Sequence, residues 1–167
     1  MIALKLTSLK IFMAHFLTRD TFDNFLLEEA NIGTAATYSI DGHINRDFYP
    51  PEERTEDMLP YDLLCWSEIK GLCFDLIKGK HTPLYFKFVL HLKPETVADL
   101  LQKWQCPQLL SQLKSLVLTI RFDQTGATLT TGIAYHTFIP TKEADQAWDK
   151  EIPAFLSEKG IPFEPMQ

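Results

Sequence analysis

The chain has 167 residues, the size of one domain and too few for two ordinary ones. With 46% hydrophobic, 12% aromatic and 23% charged residues, it has the composition of a globular protein, which sets aside the disordered, fibrous and membrane classes. Sixteen Lys and Arg against 22 Asp and Glu give a net charge of −6, so general electrostatic attachment to nucleic acid or an anionic membrane is disfavoured unless a local basic patch reverses it.

Cys65, Cys73 and Cys106 are odd in number and lack CxxC spacing, so they read as free thiols. Met1 to Leu17 is apolar, but Lys5, Lys10 and His15 interrupt it and no small-residue cleavage site follows, so it reads as part of the domain. No run approaches the ~18 apolar residues of a membrane span. These features together predict a cytoplasmic protein with no membrane association.

Ile2, Leu4 and Leu6 alternate as a short strand. Ser8 then caps a helix whose apolar stripe is Leu9, Phe12, Met13, Phe16 and Leu17. Phe25 to Ile40 reads as β structure interrupted at Asn31 to Gly33. Asp41-Gly42 signals a two-residue hairpin, with His43 to Tyr49 returning as the partner strand. Pro50 to Pro60, with three prolines and four acidic residues, is an exposed loop. Ser67 caps a second helix with the stripe Ile69, Leu72, Cys73, Leu76 and Ile77, closed by Gly79.

Leu84, Phe86, Phe88, Leu90 and Leu92 alternate with Tyr85, Lys87, Val89, His91 and Lys93, predicting a strand with one buried and one polar face. Pro94 opens a helix carrying Val97, Leu100, Leu101 and Trp104, and a short helical segment follows Pro107. Leu116 to Phe122 alternates again, and Gln124-Thr125-Gly126 turns the chain into a β segment reaching Phe138. Thr141 caps a last helical region to Gly160, kinked or broken at Pro153. The fold class is therefore α+β: a largely antiparallel sheet with amphipathic helices packed on one face, in a single domain spanning residues 1–167. A strand–helix–hairpin–helix order recurs in residues 1–80 and 84–160, with Gly42 and Gly126, Trp66 and Trp148, and Lys78-Gly79 and Lys159-Gly160 as matching markers. This echo implies a pseudo-two-fold duplication.

There is no GxSxG, HExxH or GxGxxG, and the spacing of Gly71 and Gly79-Lys80 is wrong for a phosphate loop. No cofactor or metal is expected, and an enzyme is disfavoured. Two candidate regions remain. On a returning strand, His43, Asn45, Asp47 and Tyr49 would share one face beside Arg46, a grouping suited to ligand binding or proton relay. Lys78, Lys80 and His81 follow the second helix, while Lys87, His91, Arg121 and His136, with Tyr85 and Thr119, give one sheet face a basic and aromatic character. The predicted function is a non-enzymatic binding module for a protein or nucleic-acid partner. The alternative is a small hydrolase or transferase using residues 41–49.

The run from Ile40 to Tyr49, together with Leu76 to Pro83, resembles a family of small bacterial proteins of unknown function. That likeness extends over most of the chain and implies no activity. In outline, the two strand–helix–hairpin halves are also similar to one domain of a DNA sliding clamp. Such a likeness implies an oligomer with clamp-like organisation, although clamp helices line DNA with basic residues and here Lys10, Arg19, Lys70 and Lys78 stand beside Asp20, Glu68 and Asp75.

Overall fold

A computed structural model describes residues 1–139 and 141–166. Strand β1 (Ala3–Leu6) leads to helix α1 (Leu9–Met13), whose last turn loosens into a π-helical segment over Ala14–Thr18. Strands β2 (Phe25–Gly33) and β3 (Thr37–Asp41) form a hairpin, and β4 (Leu64–Cys65) runs directly into α2 (Trp66–Ile77). Next come β5 (Tyr85–Leu92), α3 (Pro94–Lys103), the hairpin of β6 (Leu113–Asp123) and β7 (Gly126–Tyr135), α4 (Glu143–Glu158) and β8 (Phe163–Pro165). All eight strands belong to one antiparallel sheet, in the order β3-β2-β5-β6-β7-β1-β8 with β4 attached to β2. The protein is α+β, as its alternating strands and helical stripes predict.

The alternation decides the faces. Phe86, Phe88, Leu90 and Leu92 of β5 are buried with Leu116, Leu118 and Ile120 of β6, Leu129 of β7, and Leu4 and Leu6 of β1. Each such side chain contributes about 1.5–3 kcal/mol by leaving water. The helices cover this face. Phe16 stacks on Trp66 of α2 at 4.3 Å and meets Phe88 edge-on at 5.0 Å. The buried Trp66 indole N–H donates to the Phe16 carbonyl at 2.8 Å, which anchors the π-helical segment to α2. Helix α4 is pinned to β7 by the buried Thr131 hydroxyl, which donates to Asp149 at 2.5 Å. Two details depart from strict alternation: Leu84 lies outside β5 and is 59% exposed, and Val89 is buried although it faces the other way.

Several expected boundaries move. The Ser8 cap forms, with its hydroxyl accepting from the Ile11 N–H at 3.3 Å, but α2 starts at Trp66 without a side-chain cap, one residue before Ser67. Strand β2 continues through Asn31 to Gly33, and the hairpin turn falls at residues 34–36 instead of Asp41-Gly42. Residues 43–49 are not a strand: His43 makes one isolated bridge to Leu63, and Arg46–Phe48 form a 3-10 turn. The turn chemistry at Thr34-Ala35-Ala36 carries no Asn or Gly signal, whereas Asp41-Gly42 carries a strong one that tertiary contact redirects. Strand β7 stops at Tyr135, leaving Phe138 90% exposed. Helix α4 is continuous through Pro153, which lies inside it. The chain-order echo has no simple counterpart in space, since β5 lies between β2 and β6 while β1 lies between β7 and β8.

Candidate functional site

The face of the sheet opposite the helices is polar. Across it, Ser39, Asn31, Lys87, Arg121, Thr128 and Lys5 form one register row from β3 to β1. Asp41, Glu29, Val89, Thr119 and Thr130 form the next. Lys87 is paired with Glu29 at 3.1 Å, and Asn31 bridges Glu29 and Ser39 through 3.1 and 2.9 Å hydrogen bonds. Arg121 is exposed and makes no ion pair among the described residues.

At one end this face is walled by the connection from Gly42 to Leu63, leaving a recess of about 580 Å3. A β-bulge lies on its wall. Leu27 and Glu29 pair with the adjacent residues Leu90 and Val89, so Glu28 is an extra residue pushed out of register. The Glu28 carbonyl accepts from the Gly42 N–H at 2.8 Å, and a Cβ at Gly42 would overlap the Leu27 carbonyl oxygen. Gly42 therefore serves a close backbone approach, not a two-residue turn. A second irregularity, between Leu113 and Ser115, brings Lys114 and Ser115 to the opposite wall. His43, His91 and His136 all line the recess.

Two imidazole–carboxylate pairs stand there. Asp41 accepts from the His43 backbone N–H at 3.0 Å and from ring Nδ1 at 2.6 Å; these bonds, the backbone one first, hold the Asp41 carboxyl below the usual range. With Nδ1 donating, neutral His43 keeps Nε2 as an acceptor. His91 Nε2 lies 3.2 Å from Glu28, but burial outweighs that carboxylate and pushes the His91 ring below its ordinary value. At the rim, Arg46 pairs with Asp62 at 3.1 Å, and Tyr61 donates to Glu95, a bond that raises the Tyr61 phenol to about 12.

Of the sequence candidates, the structure brings His43, His91 and His136 together. Arg46 takes part only through Asp62, and it accepts from Arg54 Nε at its carbonyl. Asn45 and Asp47 are exposed in the connection, and the Tyr49 ring packs edge-on against Phe48 at 5.3 Å. Lys78 pairs with Asp75 at 3.0 Å and sits 5.5 Å from the Phe74 ring, while Lys80 and His81 are exposed in the following loop. Lys87 and Arg121 lie on the open face away from the recess walls. Glu28, Lys114, Ser115 and Asp62 were not anticipated. The run Leu26-Leu27-Glu28-Glu29 carried a readable signal, because two apolar and then two acidic residues break a period of two as a bulge does. Among the described residues, no group of three or more His, Cys, Asp or Glu is arranged to hold a metal ion.

These features define an α+β protein with a helix-covered face and an open polar face ending in a histidine-lined recess. Residues 15–164 match the model of a family of unknown function, DUF5721, and the chain belongs to that family. No curated protein and no solved structure matches it, so the outline likeness to a sliding-clamp domain gains no support from a known fold. Among the described residues, no helix is long and apolar enough to cross a membrane.

Proposed function

We propose that the protein is a non-enzymatic binding module that engages a protein partner across the open face of its sheet, with the recess receiving part of that partner. The observation that carries this reading is the asymmetry of the fold: the helices pack on one face, and among the described residues the other is covered only at its recess end. Charges on the open face alternate in sign, with Lys87 beside Glu29 and with Asp41 and Glu28 nearby. A nucleic-acid track would be more uniformly basic, so this mixture favours a protein partner. The three cysteines are free thiols, which suits action in the cytoplasm.

A photo-crosslinking residue placed at Arg121 or Thr128, with Lys150 on α4 as control, tests the reading in cells. The same protein adduct from both sheet positions and not from Lys150 supports it. A nucleic-acid adduct, or one pattern from all three positions, counts against it. Sedimentation velocity then distinguishes a second copy of the chain from a different partner.

One observation favours a second reading, a small hydrolase or transferase. The 2.6 Å contact of Asp41 with His43 Nδ1 leaves Nε2 positioned electronically as a general base at the recess. Turnover of an activated ester that disappears in His43→Ala would establish this reading over the first.

A further inference from the structure

We propose that the recess beneath the Gly42–Leu63 connection is an oxyanion subsite, taking a carboxylate or phosphate group between Lys114 and the imidazoles of His91 and His136. This rests on the binding-module reading and names the chemistry of the group the recess receives.

Each carboxylate at or beside the recess has its own partner: Glu28 with His91, Asp62 with Arg46, and Asp41 with His43. Lys114 and His136 have no carboxylate partner among the described residues, although both line the same cavity. Lys114 thus brings to the recess a cation with no counter-ion of its own, which is what an oxyanion requires.

Ser115 adds a further donor. It is only 5% exposed, lies on the recess wall, and its hydroxyl reaches nothing better than the Leu116 carbonyl at 3.4 Å. Such a long contact is readily exchanged for a bond to a ligand. At about 580 Å3 the space exceeds what one carboxylate or phosphate fills, so the group enters as the end of a larger molecule.

His91 supplies the spectroscopic handle. The charged and titratable groups around it are Glu28 from β2, Lys114 from β6 and His43 from the connection. Burial and Lys114 disfavour its protonation, and an oxyanion beside Lys114 opposes both effects. By linkage, the anion then binds more tightly as pH falls through the His91 transition.

The test is an NMR titration of the full chain with inorganic phosphate and, separately, succinate, at ionic strength held constant with sodium chloride. The expected result is saturable shifts at His91 and Ser115, with the His91 transition moved upward by about half a pH unit or more. Lys114→Met should weaken binding by about tenfold or more, as loss of a charged donor does, while Lys150→Met leaves it unchanged. Shifts that chloride reproduces, that fail to saturate, or that survive Lys114→Met overturn the proposal. Response to phosphate but not succinate, or the reverse, identifies which oxyanion the site takes. Intact crosslinking from the open face without anion binding overturns the subsite alone. His43-dependent turnover with anion binding intact overturns the non-enzymatic reading and leaves the subsite standing.

Discussion

Gly42 lies flat against Leu27: its N–H reaches the next carbonyl, that of Glu28, at 2.8 Å, and no side chain fits between it and the Leu27 oxygen. This approach, with the pairing of β4 on β2 and the His43–Leu63 bridge, ties the connection to the β2 bulge and so sets the wall of the recess. Gly42→Ala must displace the backbone, and we expect it to destabilise the fold by about 2–4 kcal/mol. Urea denaturation measures the cost. Amide exchange should show faster opening of residues 42–63 than of β6, and a uniform response would argue against a local anchor.

Trp66 joins two elements with one bond. Replacing it with Phe leaves the buried Phe16 carbonyl without its donor and opens space beside Phe88. The expected loss is about 2–4 kcal/mol, from the missing bond and the smaller ring together. A urea midpoint close to that of the parent protein would show that the π-helical segment is held by other contacts.

Two histidines make the fold acid-sensitive in a predictable window. Burial lowers the ring of His91, and burial together with Arg19 lowers that of His15. The Arg19 guanidinium only donates, so its 3.1 Å contact fixes His15 Nε2 as acceptor and Nδ1 as donor to Thr21 at 2.7 Å. In each case the folded protein takes up its proton at lower pH than the unfolded chain, whose ordinary value is 6.5. Stability is therefore fully present above that value and falls as pH drops through the folded transitions. Urea midpoints between about pH 7.5 and about pH 5.5 should decline, with a shallower slope in His91→Gln and in His15→Gln. An unchanged slope in both variants would refute the assignment.

The Lys87–Glu29 pair should matter little to stability. The side chains are 32% and 40% exposed, so solvent screens their attraction. Glu29→Gln is expected to change unfolding free energy by less than about 1 kcal/mol, with the difference fading in high salt. A larger, salt-independent loss would point instead to the hydrogen bond that Asn31 donates to Glu29.

How much of this was legible in the chain differs by region. Alternation in β5 and β6 is plain in the sequence, because one buried face imposes a period of two, and Pro94 marks the first turn of α3. The site was legible only in fragments. His43 and His91 stood out as residues, yet they are 48 positions apart in sequence, and nothing local to either announces that they share a recess. The dense polar run from Asp41 to Tyr49 misled, since its turn signal is satisfied by a contact with β2 that no local rule contains.

Local residue patterns were enough to set the fold class, the helix-covered face of the sheet and most of its strands, because burial patterns repeat at short range and each segment carries its own. Tertiary structure alone decided where β2 bulges, where the hairpin turns, and which histidines meet. Those outcomes depend on backbone groups finding partners tens of residues away, and a glycine's freedom to lie against another strand is invisible until that strand is in place.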